Sequence, residues 1–362
     1  MDRPLRDELV ALTTDLVRFE STADRPDQLV ACMDYVAAYL AAIPGLIVER
    51  SESGGKPAIV ATLRETRTPA LMLNGHLDVV VGRPEQFVPQ VRDGRIYGRG
   101  SQDMKGSCAV MLRLLRDLAA LSERPDVGFQ FVSDEEIGGA AGTGRLLAEG
   151  WRCAMMLCLE PTDLGILYAH KGCMWVELAL PGSPAHGSHP WEGHNPIGDL
   201  VRGILAVEAR YPPPAGPDEW RTSVTPTALQ AGAGSRNQVP ASASVTFDIR
   251  YTADETPDAV LAALTECFPT ATPVVVETGA ALYTDPAHPA VARLASLLER
   301  RLGRPPQLFR EHYATDARYY TSAGIPAVCV GPVGAGLHSD EEWVSIESLV
   351  ELYHLLLAYV TS

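Results

Sequence analysis

The chain has 362 residues, 46% hydrophobic and 21% charged, with no low-complexity tract; that length exceeds one comfortable hydrophobic core and predicts two domains. Thirty lysines and arginines against 45 aspartates and glutamates leave a net charge of −15, a field that repels polyanions and argues against nucleic acid or membrane as partners. No apolar run approaches the roughly 18 residues that span a bilayer, and the charged N-terminal stretch MDRPLRDELVALTTDLVRFE lacks the apolar core of a signal peptide, so a cytoplasmic protein is expected.

Helical periodicity covers about residues 4 to 19 and again runs from near Gln28 to Ala42. Apolar strands follow around Ala58–Leu63 and Ala70–Leu73, then a helix from about Lys105 to Leu121 and strands at Val127–Val132 and Ala154–Leu159. This alternation predicts an α/β fold with a mostly parallel central sheet covered by helices on both faces. The pattern then changes. Strand (Met174–Leu180), helix (Pro196–Arg210), strand (Thr222–Ala231), strand (Ala243–Tyr251), helix (Pro257–Phe268) and strand (Pro273–Glu277) give a βαββαβ order that suits a small open-faced α+β sandwich. A helix at His288–Leu302 and a buried strand at Ile325–Gly331 return to the first pattern. The simplest topology is a discontinuous catalytic domain, residues 1–174 and 284–362, interrupted by an inserted domain at 175–283.

Seven cysteines (Cys32, Cys108, Cys153, Cys158, Cys173, Cys267 and Cys329) are scattered, odd in number and never spaced C-x-x-C, which argues against a disulfide framework and against a zinc ribbon. The polar clusters fall instead just past strand ends, where sheets of this kind place their ligands. His76 follows the run Ala70–Leu73 and precedes Asp78 by two residues: a common loop pair, or a metal ligand with a neighbour that fixes the imidazole tautomer. Asp103 sits in Tyr97-Gly98-Arg99-Gly100-Ser101-Gln102-Asp103-Met104-Lys105-Gly106 and reads equally as a helix N-cap or as a bridging carboxylate. Ser133-Asp134-Glu135-Glu136 places three acids after a buried strand. Such a run is usually a solvated loop, yet neighbouring acids that repel one another need a cation and can divide roles, Glu136 on a metal and Glu135 free to move protons. Glu160 and His338 likewise follow apolar strands. Two metal ions about 3.5–4 Å apart, with a free carboxylate beside them, would supply the nucleophile, the Lewis acid and the proton shuttle that amide hydrolysis needs.

Gly75-His76-Leu77-Asp78-Val79-Val80, Gly98-Arg99-Gly100-Ser101-Gln102-Asp103-Met104-Lys105-Gly106 and Asp134-Glu135-Glu136-Ile137-Gly138 resemble the signatures of the dinuclear-zinc family of acetylornithine deacetylase, succinyl-diaminopimelate desuccinylase and carboxypeptidase G. The resemblance continues in order through Glu160-Pro161-Thr162, Ala185-His186-Gly187, Asn195-Pro196-Ile197, Asn237-Gln238-Val239-Pro240, Asp248-Ile249-Arg250 and His338, across nearly the whole chain. It implies two zinc ions, with cobalt or manganese as substitutes: His76 and Glu160 on one, Glu136 and His338 on the other, Asp103 bridging, and a cis peptide at Asp103–Met104. It also implies Glu135 as the general base on the bridging water and Asp78 as the partner of His76. His186 would enter the active site of the second subunit of a homodimer formed through the inserted domain, and donate a hydrogen bond to the tetrahedral oxyanion. Arg250 and Asn237 would hold the substrate.

The implied function is metal-dependent hydrolysis of a linear amide in a small acylated amino acid or peptide-like substrate. An N-acyl amino acid deacylase leads; an exopeptidase or dipeptidase is the alternative, and a non-catalytic relative would be expected to lack Glu135 or a ligand. The chain departs from desuccinylases at Tyr313-Ala314-Thr315-Asp316-Ala317-Arg318, where their loop reads Gly-Thr-Ser-Asp. Ala314 has no hydroxyl for a succinyl carboxylate; Arg318, Lys171 and Arg236 are the candidates to compensate. His189 and His194 take no role.

Overall fold

Strands Leu71–His76 and Val127–Val132 are buried at every position, the mark of strands covered on both faces. They lie at the middle of a nine-stranded sheet in the computed structural model of the chain, which describes residues 3–232 and 235–362. From one edge the order is Ile47–Ser53, Lys56–Thr62, Val127–Val132, Leu71–His76, Met155–Cys158, Ala327–Cys329, Ile166–His170 and Leu282–Tyr283, with Leu308–Glu311 also paired to Ile166–His170. The four strands from Val127–Val132 to Ala327–Cys329 run parallel, as the alternation of strands and helices predicts. Antiparallel pairs flank them. One is a hairpin closed by Gly54 and Gly55, whose φ values of 57° and 75° meet the demand of a two-residue turn for left-handed backbone.

Two apolar clusters cover the faces of this sheet. One packs Leu5, Leu9, Leu73, Val110, Phe129, Leu294 and Leu352 from strands and surrounding helices; the other gathers Val60, Met72, Trp151, Met156 and Tyr320. The C-terminal helix Ile346–Thr361, which sequence periodicity did not single out, joins the first cluster along most of its length, and the Ser345 hydroxyl accepts the Ser348 N–H at its start.

A separate, four-stranded sheet is small but decisive for the site. It runs Gly334–Ala335, Trp343–Ser345, Arg95–Tyr97, Gln90–Arg92, and so ties the segment that leads into Asp103 to the segment that carries His338.

The chain divides into two compact units: residues up to 169 with 282–310 and 315–362, and residues 170–281 with 311–314. The second holds an antiparallel sheet ordered Ser223–Ala231, Ser242–Tyr251, Gly172–Pro181, Thr272–Gly279. Burial alternates along Gly172–Pro181, and its inner side chains Met174, Val176, Leu178 and Leu180 pack with Leu200, Val207, Val260 and Leu264 of helices Pro196–Arg210 and Pro257–Cys267. Among the described residues no helix is long and apolar enough to cross a membrane.

Candidate metal centre

Three adjacent parallel strands deliver the first acids and a histidine side by side. His76 is the last residue of Leu71–His76, Glu135 and Glu136 open the turn after Val127–Val132, and Glu160 lies just beyond Met155–Cys158. Asp103 comes from the irregular helical turn Ser101–Lys105, whose Asp103–Met104 peptide is cis, as the resemblance implied. The turn is entered through Gly100 at φ 78°, where a Cβ would stand 2.5 Å from Val79 Cγ1, so only glycine passes there. His338 follows the short strand Gly334–Ala335.

These residues converge within the first unit. His76 Nε2 lies 3.0 Å from Asp103 Oδ1 and 3.8 Å from Glu160 Oε1. His338 Nε2 lies 3.4 Å from Asp103 Oδ2 and 3.3 Å from Glu136 Oε2. Asp103 therefore turns one oxygen toward each histidine. Ligand atoms of His76, Glu135 and Glu160 lie within 4.8 Å of one another, as do those of His76, Asp103 and Glu136. The nearest partner of His76 Nδ1 is the Asp78 backbone carbonyl at 2.9 Å, with the Asp78 carboxylate at 3.6 Å. That carboxylate instead accepts the Glu136 N–H at 2.9 Å, so Asp78 braces both a histidine and an acid of the cluster.

Four carboxylates face two imidazoles here, and the imbalance shifts the proton affinities of both imidazoles and of Asp103, Glu135 and Glu160. Burial opposes a proton on His76, but hydrogen bonds with Asp103 and Asp78 and the charge of Glu160 hold its pKa well above the usual value. Hydrogen bonds to Asp103 and Glu136 raise His338 to about 10 against the opposing effect of burial. Burial would raise Asp103, yet its bonds to His338 and His76 hold it far below the carboxylate range. Burial, with acidic neighbours, pushes Glu135 and Glu160 well up. A cluster that traps protons to balance its own acids is suited to divalent cations, and its donor set of imidazole nitrogen and carboxylate oxygen suits zinc, cobalt or manganese. The thiols nearby serve the backbone and an amide: Cys108 donates to the His76 carbonyl and Cys158 to Asn74 Oδ1.

Further residues brace the acid turn, and of these Tyr319 was not singled out from sequence. Arg318 Nη2 and Tyr319 Oη both donate to the Gly138 carbonyl, at 2.7 and 2.6 Å. The Asp134 carboxylate accepts the N–H groups of Ala141 and Gly142. Gly139, at φ 69°, leaves room for Asp316, whose Oδ1 would lie 1.9 Å from an added Cβ. Arg318, one candidate to compensate for Ala314, is thus engaged on Gly138.

The remaining predicted residues belong to the second unit. His186 Nε2 is 3.3 Å from Asn237 Nδ2, and His186 Nδ1 is 2.7 Å from Ser188 Oγ. Arg250 spends its fork on Asp248, Nε to Oδ1 at 2.7 Å and Nη2 to Oδ2 at 3.0 Å. Lys171 lies with its amine 5.5 Å from the centre of the Trp220 ring. Arg236 stands in the 235–241 segment beside Gln238.

The profile of peptidase family M20/M25/M40 matches residues 72–362. Succinyl-diaminopimelate desuccinylase of Xylella fastidiosa strain M12 is 30% identical over 375 residues, covering 97% of this chain and 98% of that protein. The enzyme of the same name from Xanthomonas campestris pv. campestris strain 8004 is 31% identical over 379 residues, covering 96% and 98%. Among solved structures, aminopeptidase PepT from Bacillus cereus ATCC 10987 superposes with a TM-score of 0.77 at 19% identity, covering 98% of each chain.

Proposed function

Because the chain belongs to the peptidase family M20/M25/M40 and is a metal-dependent hydrolase of linear amide bonds, we propose that it is an N-acyl amino acid deacylase working with two zinc ions. One observation carries this reading: Asp103 offers one carboxylate oxygen to the His76 side and the other to the His338 side, the arrangement a bridging ligand requires. His76 and Glu160 would hold one ion and Glu136 and His338 the other, with Asp103 shared between them. When bound, the two cations supply a Lewis acid for the substrate carbonyl and make a nearby water acidic enough to ionise near neutrality. Glu135 stays free of this duty. It takes the proton of the attacking water and passes it to the leaving amine, a task that its burial-raised affinity for a proton favours. Asp78 keeps His76 in the tautomer that presents Nε2 to the cluster and holds the Glu136 backbone in register.

In the same reading the second unit is a lid and dimerisation domain. Ile197, Val201 and Leu205 line one side of helix Pro196–Arg210 at 38%, 48% and 58% exposure, and the edge strand Ser223–Ala231 exposes Leu229; this apolar stripe and open edge suit a second copy of the chain. Across that interface His186, once its Nε2 is released from the Asn237 amide and carries a proton, donates to the oxyanion, a contribution of roughly 3–4 kcal/mol in comparable sites. Arg250 receives the substrate carboxylate, for which Asp248 must yield its fork, and Asn237 adds a companion polar contact. Mixing His186→Ala chains with Glu135→Gln chains is expected to restore activity, because hybrid dimers contain one intact composite site. Absence of recovery after confirmed subunit exchange would remove catalysis across the interface.

The substrate is a small acylated amino acid, the class to which the names of the two desuccinylases point, and the reaction takes place in the cytoplasm. A panel of acetylated and succinylated amino acids and dipeptides, followed by amine release from zinc-loaded protein, tests this. Deacylation is expected to exceed dipeptide cleavage in kcat/KM by at least about tenfold, a difference of about 1.4 kcal/mol in transition-state binding. The reverse order would replace the deacylase with a dipeptidase.

A further inference from the structure

The proposed mechanism assigns no task to Glu342, although its carboxylate is among the most heavily engaged in the first unit. The residue is 2% exposed and stands four positions after His338, at the start of strand Trp343–Ser345. Its Oε2 accepts from Arg99 Nη1 at 2.8 Å and from the Gly100 N–H at 3.0 Å. Its Oε1 accepts the N–H groups of Gln102 at 3.1 Å and of Asp103 itself at 3.2 Å. Its backbone carbonyl takes the Gly98 N–H at 3.1 Å.

The segment needs such a partner. Asp103 and Met104 have non-helical φ/ψ, so the amides of this turn have no regular helical ladder to satisfy them. A buried carboxylate that gathers three of those amides and a guanidinium is tightly constrained, because every displacement would strand a donor away from water. Glu342 thereby binds two stretches of chain that are far apart in sequence and that supply Asp103 and His338 to one cluster.

We propose that Glu342 is a positioning residue for the metal centre: its carboxylate holds the turn 98–103 against the His338 loop, so that the two Asp103 oxygens stand where a bridging ligand must have them. This rests on the reading of Asp103 and His338 as metal ligands. Glu342 touches neither metal nor substrate; it acts through Asp103.

In the test, metal-free protein is titrated with cobalt(II), followed by calorimetry and by the visible absorption of the bound ion, for wild type, Glu342→Gln, Asp103→Ala and the exposed neighbour Asp340→Ala. A glutamine at 342 turns one acceptor into a donor that faces N–H groups. The variant is expected to weaken the uptake of at least one cobalt equivalent about 10- to 100-fold, the range for residues that orient a ligand, and to shift the cobalt spectrum, while Asp340→Ala matches wild type. If unpaired Arg99 keeps Glu342→Gln from folding, the double variant Arg99→Gln/Glu342→Gln removes the charge together with its partner and is read in the same way. Wild-type stoichiometry, affinity and spectrum in the folded variant, with uptake lost in Asp103→Ala, would overturn the positioning role and leave the ligand reading standing. Wild-type uptake in Asp103→Ala would overturn the ligand reading and this proposal with it.

Discussion

Glutamine at position 135 is expected to lower kcat by about 10³-fold while both metal equivalents remain bound and KM changes little. The side chain is half-buried, and burial raises its pKa, with Asp316, Asp103 and Glu136 adding to the shift against the opposing charge of His76. A carboxyl so placed can hold a proton between its removal from water and its delivery to an amine; an amide of the same shape cannot. The geometry also offers a rival. Oxygen of Glu135 lies within 4.8 Å of donor atoms of His76 and Glu160, close enough for a ligand role. Elemental analysis of the variant separates the two. Loss of one metal equivalent would make Glu135 a ligand, and an unchanged kcat would leave it without a part in proton transfer.

Removal of the Asp103 carboxylate is expected to act on metal and protons together. Asp103→Ala should weaken metal uptake by at least about 100-fold, since even residues that only orient a ligand cost 10- to 100-fold. In the metal-free protein the same change takes from His338 the larger of the two hydrogen bonds that raise its pKa to about 10, so an NMR titration should find that pKa lowered toward the ordinary value of about 6.5. The sign follows from linkage. A folded pKa above the unfolded one stabilises the metal-free fold below about pH 6.5 and loses that contribution as pH rises through about 10. The effect on melting is small because the His338 side chain is 53% exposed. For metal uptake the direction is opposite: a bound imidazole must be neutral, so affinity should rise with pH by up to about tenfold per unit for each proton displaced. Calorimetry in two buffers of different ionisation heat counts those protons. Uptake that is independent of pH, or unimpaired in Asp103→Ala, would remove Asp103 and His338 from the site.

Much of this was legible in the chain itself. Short runs such as Val127–Val132 and Met155–Cys158, with helical patterns between them, read as strands buried on both faces, and placing them side by side in parallel brings the residues beyond their ends together. His76, Glu135, Glu136 and Glu160 stand out as candidates for that reason, each a polar residue at or just past the end of an apolar run. Glu342 was not, because in Asp340-Glu341-Glu342 nothing local separates the buried acid from two exposed ones. Arg250 shows the same limit from the other side: its type suits a substrate carboxylate, but whether its fork is free depends on Asp248, two residues away on the same face of the strand. Residue identity and short-range spacing are enough to read the candidate donor types, their places past apolar strands and the family from the chain alone. Which acids are buried, which donors they collect and how the turn before Met104 is held against the loop of His338 depend on the folded chain. Those outcomes rest on contacts between residues more than two hundred positions apart, and on the cost of leaving a buried charge or amide without a partner.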